Sequence, residues 1–295
     1  MKILDGKELA GFVKERQATE VRSLKAQGLS PKLVIIRDSD NPVIVKYVNL
    51  KMRYGEDIGV EVLDVLVSSA AEAKEKILEA NADDSVSGII VQLPLQDVSA
   101  TDEVVSSIAS EKDVDGLSGS VYDLEFARAE SQAKEAEYKV ETLESTAEGV
   151  ARIFDSATAT AINWLLTGYD INLSDKKIAL VGRGRLVGAP LYRMFKNSGL
   201  EVSIFGHDSD LSVLTDYDVV ISATGVGHLI KPEMIAPGAV VVDAGTASEG
   251  GKLVGDVSPE VLARKDLAAI TPDKGGVGPL TVAVLFDNVL RAAKD

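Results

Sequence analysis

The chain contains no cysteine, so it has neither a disulfide framework nor a cysteine-ligated metal centre. It has only two histidines, His207 and His228, and they are too far apart for a metal-ligand spacing. No run of eighteen apolar residues occurs, which excludes a transmembrane helix of ordinary length. The opening "MKILDGKELAGF" lacks the long apolar stretch of a secretion signal. Cations are scarce as well: 31 Lys and Arg against 46 Asp and Glu leave a net charge of −15. Such a surface repels nucleic acid and anionic membrane, both of which need a basic patch. The expectation is a cytoplasmic protein acting on a small molecule, with no metal, nucleic acid or membrane as partner.

The rest of the chain alternates between two periods. Leu9, Phe12, Val13, Val21 and Leu24 fall at helical spacing before Gly28. Then come a strand at 31–38, a helix at 42–57 opened by Pro42, a strand at 60–67, a helix at 69–81 and a β-branched strand at 86–95. A second alternation predicts a helix to about 167, strands at 177–182, 201–205, 218–224, 239–245 and 267–271, a helix at 187–198 and a closing helix at 280–293. Repeated βα units imply parallel sheets with helices on their faces, an α/β fold. At 295 residues the chain is long enough for two domains. Between the two alternations, 120–150 holds eight acidic residues against three basic ones and reads as a solvated helical excursion, the other reading being a partner-binding or lid element.

In "KKIALVGRGRLVGAP", Gly182, Gly184 and Gly188 follow a strand and precede a helix. That context suits a dinucleotide: glycines let backbone approach a pyrophosphate, and a helix N-terminus stabilises its charge. Arg183 and Arg185 suit a 2′-phosphate through paired donors, which favours NADP. Asp208, about twenty residues on, favours an unphosphorylated ribose, and the neighbouring His207 fits either, so NAD stays possible.

A second cluster lies upstream. Tyr47 and Lys51 are four apart and share a helix face. The helix is otherwise rich in apolar residues, so Lys51 is expected to be partly desolvated, which lowers its pKa and suits it to proton transfer. Gln92 stands at the carboxyl end of a buried strand, where ligands of open α/β sheets gather. Asp113 and Asp115 share the turn "KDVDG"; one suits a cap, the other the donor edge of a heterocycle.

"ILDGKELA", "YVNLK", "GIIVQLPL", "EKDVDG", "VGRGRLVGAPL", "GKLVGDV" and "TPDKGGVGPLT" occur in this order. On these motifs the chain resembles the bifunctional methylenetetrahydrofolate dehydrogenase/methenyltetrahydrofolate cyclohydrolase family along nearly its whole length. The resemblance implies two α/β domains flanking a cleft, the C-terminal one a Rossmann-type parallel sheet. Residues 1–150 would bind folate, 151–279 would bind dinucleotide, and helix 280–295 would pack back on the first domain. It implies homodimers, a tetrahydrofolate derivative as substrate, and NADP or NAD. It makes Lys51, Tyr47, Gln92 and Asp115 catalytic. Tyr47, Asp115, Gly276 and Pro279 would contact the substrate, and Gly182, Arg183, Gly184, Arg185, Gly188, His207 and Thr224 the cofactor.

The chain departs from the family pattern in places. Ile44 stands where a serine is usual, "SATATA" replaces a proline-bearing run, Gly184 replaces a serine, His207 replaces a basic residue, and "TPDKGG" replaces "TPVPGG". Two other readings are a dehydrogenase of the same build acting on a shikimate-type hydroxy acid, and a catalytically silent binding homologue.

Overall fold

The protein is described by a computed structural model covering residues 1–118, 154–249 and 252–294. The acidic stretch 120–150 lies outside the described residues. In chain order the principal elements are β1 (Lys2–Ile3), α1 (Gly6–Ala26), β2 (Lys32–Arg37), α2 (Pro42–Ile58), β3 (Glu61–Leu66), α3 (Ala70–Ala82), β4 (Gly88–Val91) and α4 (Thr101–Val105). There follow α5 (Ala157–Gly168), β5 (Ile178–Val181), α6 (Gly188–Asn197), β6 (Val202–Phe205), β7 (Val219–Ser222) and β8 (Val240–Asp243). The chain closes with β9 (Ala247–Glu249), β10 (Lys252–Val254), α7 (Pro259–Leu262), β11 (Ala269–Ile270) and α8 (Val277–Ala292).

The chain divides into two compact units that are not consecutive blocks: Met1–Glu20 with Ser156–Asp287, and Val21–Asp155 with Asn288–Asp295. The division falls inside α1 and α8 rather than between domains cut at 150 and 280. Backbone pairing accounts for the first twenty residues. β1 runs parallel to β11, and the Lys7 N–H donates to the Gly275 carbonyl at 2.9 Å. Gly6 lies so close to Gly276 that a Cβ on it would stand 1.9 Å from that carbonyl oxygen. The Asp5 carboxylate accepts from the Lys7 and Glu8 N–H groups and caps α1.

One unit carries a six-stranded sheet ordered β1-β11-β8-β7-β5-β6, parallel throughout. β5 is a continuous apolar run, and β7 and β8 are apolar up to their last residues, Ser222 and Asp243, as suits strands covered on both faces; their side chains are buried but for Asp243. The other unit carries a parallel sheet ordered β3-β2-β4. α3 lies against it, and Ala73, Ile77 and Ala80 join Val34, Ile36, Ile89 and Val91 in one core. In this second unit Asn288 of the closing helix donates to the Val114 carbonyl at 2.9 Å, and the Arg291 guanidinium sits 5.2 Å from the Phe154 ring centre.

Three differences from the expected elements have local causes. The strand read over 86–95 is regular only over Gly88–Val91, with one further bond from the Gln92 N–H, and Pro94 has no N–H to continue the ladder. The closing helix starts at Val277, since Pro279 falls in the first turn, where a missing N–H costs nothing. β9 and β10 form an antiparallel pair too short to display an alternating pattern. Among the described residues no helix is long and apolar enough to cross a membrane.

Candidate active site

α2 begins at Asn41, whose side chain accepts from the Val43 N–H, with Pro42 in its first turn, and it ends on Gly59 in the left-handed region. Ile44, Val48, Gly55 and Ile58 form its buried face. Ile44 thus adds to the core at the position where a serine was expected. Lys51 stands on the same helix, part-buried, and donates from Nζ to Gln92 Oε1 at 2.7 Å.

Gln92 follows β4 directly. Its N–H still donates to the Ile36 carbonyl at 2.8 Å, which fixes its backbone at the sheet's carboxyl end. Its Nε2 donates to the Leu93 carbonyl at 3.1 Å, so the oxygen is turned toward Lys51 and only one amide orientation serves both contacts. Burial pushes the Lys51 ammonium below its ordinary pKa, and attraction to the Asp115 carboxylate opposes that shift. Tyr47 is half-buried one turn before Lys51.

The two acids of "KDVDG" separate by task. Asp113 Oδ2 accepts from both the N–H and the hydroxyl of Ser118 at 2.6 Å, deep in the unit, so Asp113 is the capping residue. Asp115 stays half-exposed and faces the lysine electrostatically. Residues 41 and 64 positions apart in sequence are brought together because β4 lies beside β2 and the turn bridges Ile89 to Asp113.

The glycine turn has a different geometry. Gly182 has φ 109°, and a Cβ on it would meet the Ala223 carbonyl oxygen at 2.4 Å; a Cβ on Gly188 would meet the Gly182 carbonyl oxygen at 2.1 Å. Both positions therefore require glycine. Gly184 differs: nothing lies within 4 Å of a Cβ there, so its backbone is open to a ligand. No side chain caps the N-terminus of α6, and Arg183 Nε is buried without a hydrogen-bond partner among the described residues. Open backbone, an uncapped ten-residue helix and an orphaned guanidinium donor fit a dinucleotide phosphate. Arg183 packs against Gly206, where a Cβ would be 3.2 Å from its guanidinium carbon. Arg185 is half-buried, and burial pushes its pKa down. Ser156, in the "SATATA" run, caps α5 by accepting from Ala159 and donates to the Leu186 carbonyl at 2.6 Å, tying the turn to the start of α5.

The remaining expected residues are placed less tightly. His207 and Asp208 are fully solvent-exposed and meet each other at 3.2 Å. Gly276 packs beside Thr271, and Pro279 lies in the first turn of α8. Thr224 is engaged by a residue the sequence reading did not single out. Asp256 Oδ2 accepts from the Thr224 N–H at 2.6 Å, the Thr224 hydroxyl at 2.9 Å and the Ser222 hydroxyl at 2.7 Å. Asp243 in turn accepts from the N–H groups of Gly245, Asp256 and Val257. A signal was available: both acids follow apolar stretches with a glycine within two positions, in "VVVDAG" and "LVGDV".

Comparison with known proteins separates the same two sites, the Lys51 group and the glycine turn. Residues 4–115 match the model of the tetrahydrofolate dehydrogenase/cyclohydrolase catalytic domain, and residues 156–295 that of its NAD(P)-binding domain. The bifunctional protein FolD of Campylobacter jejuni is 35% identical over 301 residues, covering 100% of this chain and 99% of that protein. FolD of Macrococcus caseolyticus is also 35% identical, over 99% of this chain and 98% of its own. The crystal structure of the C. jejuni dehydrogenase/cyclohydrolase has a TM-score of 0.84 at 34% identity, covering 100% of this chain and 99% of that one. A Trypanosoma brucei dehydrogenase-cyclohydrolase, complexed with NADP and an inhibitor, gives 0.83 at 28% identity, over 99% and 97% of the two chains. With both of its domain models matched and relatives similar from end to end, the chain belongs to the tetrahydrofolate dehydrogenase/cyclohydrolase family.

Proposed function

We propose that the protein oxidises 5,10-methylenetetrahydrofolate to 5,10-methenyltetrahydrofolate with NADP, and hydrolyses the product to 10-formyltetrahydrofolate. The observation that carries this reading is the part-buried Lys51, held by Gln92 at 2.7 Å and facing Asp115. Full-length similarity to bifunctional relatives supports the pairing of the two activities, and the shikimate-type and silent readings have no comparable support.

A dinucleotide, when bound, supplies the hydride acceptor. The turn with Gly182, Gly184 and Gly188 would seat its phosphates, Arg183 and Arg185 would meet the negative charge, and Thr224 would lie beside them. The orphaned Arg183 donor favours a phosphorylated ribose and hence NADP over NAD; the exposed His207 would add only a weak contact.

Loss of hydride from the methylene carbon leaves a cationic methenyl bridge between two folate nitrogens. Water adds to that carbon, one carbon–nitrogen bond breaks, and the freed nitrogen takes up a proton while a second proton leaves. Lys51, its pKa lowered by burial, would accept a proton from the water and return one to the departing nitrogen. Gln92 would orient the lysine, Asp115 would pair with the donor edge of the pterin, and Tyr47 would lie along the aminobenzoate. Gly276 and Pro279 would border the substrate. The protein would work as a cytoplasmic homodimer, as the family resemblance implies; sedimentation velocity reads the dimer directly. The reading as a whole is tested by supplying methylenetetrahydrofolate with NADP and with NAD in separate reactions. Reduced nicotinamide should form, faster with NADP, and absence of reduction with both dinucleotides would overturn it.

A further inference from the structure

Asp256 is fully buried, yet among the described residues no lysine or arginine pairs with it. One of its oxygens gathers three donors, all from the segment that leaves the carboxyl end of β7. The other oxygen is buried without a partner among the described residues. Space has been cleared around the acid: a Cβ on Gly245 would sit 1.9 Å from Asp256 Oδ1. A Cβ on Gly255 would sit 2.1 Å from Asp243 Oδ2, so a second glycine makes room for the second acid. Asp243 holds the backbone of Asp256 and Val257 at 3.1 and 2.9 Å. A fully buried carboxylate with a second, part-buried carboxylate beside it is costly to maintain. A fold needing only a strand end would have placed an apolar side chain there.

What the pair secures is the Thr224 loop. Thr224 spends both its N–H and its hydroxyl hydrogen on Asp256, and its hydroxyl oxygen accepts from the Val226 N–H at 3.1 Å. Gly225, with φ 70°, then turns the chain. The loop lies directly beside the phosphate turn, since Gly182 packs against the Ala223 carbonyl. We propose that Asp256 is a positioning residue for dinucleotide binding, acting through Thr224, with Asp243 as its backbone support. This rests on the reading above that the glycine turn seats a dinucleotide.

The test uses full-length protein, with NADP as titrant and preformed methenyltetrahydrofolate as the substrate of the cofactor-free step. Asp256→Ala removes the common acceptor. It should weaken NADP binding about tenfold or more and raise the KM for NADP far more than that for folate. Ring opening of methenyltetrahydrofolate should stay within about twofold of wild type. Asp256→Asn, equal in volume and keeping one acceptor oxygen, should restore most of the affinity. It also serves as the readout should the alanine variant fail to fold, with an expected loss of about threefold. Folded Asp256→Ala, or Asp256→Asn in its place, binding NADP as wild type does would overturn the proposal. Parallel loss of ring opening and NADP binding in folded protein would make Asp256 merely structural and overturn it too. Wild-type protein that binds neither NADP nor NAD would instead refute the underlying reading of the glycine turn.

Discussion

Replacing Gln92 by Glu puts a carboxylate where an amide now accepts from Lys51 at 2.7 Å. The two side chains are nearly isosteric, so the change is one of charge. In the native protein burial holds the Lys51 pKa down against the pull of Asp115. A full negative charge in hydrogen-bond contact favours the ammonium, and such pairs move a pKa by about 1–3 units, or about 1.4–4 kcal/mol. The direction is upward, reversing the effect of burial. If neutral Lys51 takes the proton in ring opening, the limb of the cyclohydrolase profile governed by it moves to higher pH by that amount. At a fixed pH below the limb the rate falls about tenfold per unit. The substitution has a second cost: Gln92 Nε2 donates to the Leu93 carbonyl at 3.1 Å, and Glu leaves two acceptors facing each other there, worth about 1–3 kcal/mol. The new ion pair offsets part of that loss, so Tm should drop by only a few degrees. The assay is loss of the methenyl chromophore as a function of pH, with hydride transfer measured alongside. A limb that stays in place or moves to lower pH would refute the assigned coupling between Gln92 and Lys51.

Gly188→Ala and Gly184→Ala should differ sharply: the first forces a methyl to 2.1 Å from a carbonyl oxygen, the second meets open space. Thermal denaturation should show a loss of several kcal/mol for Gly188→Ala and near-native stability with weakened NADP binding for Gly184→Ala. Asp243 is pushed up to about 6 from 3.8, chiefly by burial, with repulsion from Asp256 adding to it. A raised acid is stabilising in its protonated form, so its contribution is complete below about 3.8 and is lost as pH rises through about 6, on the order of 3 kcal/mol. A carboxyl NMR titration should place its midpoint near 6, and a midpoint below 4 would contradict the burial argument.

Much of the fold was legible because its central strands are buried on both faces. "IALV" and "VVIS" read as strands since covered parallel strands have no polar side to show. The Lys51–Gln92–Asp115 group was legible in part. The apolar setting of Lys51 forecast its desolvation, but the meeting of three distant residues depends on β4 lying beside β2, which no local pattern encodes. The grouping of Met1–Glu20 with the dinucleotide unit was hidden for the same reason: β1 is two residues long and gains its meaning from β11. Asp256 was overlooked because an acid next to a glycine looks like a surface turn, and only its burial shows it to be an acceptor for three donors. His207 shows the reverse, a residue singled out by position that the fold leaves in solvent.

The most direct measurement is the ratio of the two activities in Lys51→Ala, each assayed from its own substrate. Hydride transfer needs chiefly alignment of two carbons, whereas ring opening needs a group that moves protons. Ring opening should therefore fall by about 100-fold or more while hydride transfer falls much less. Equal losses, or a larger loss of hydride transfer, would contradict the role given to the lysine.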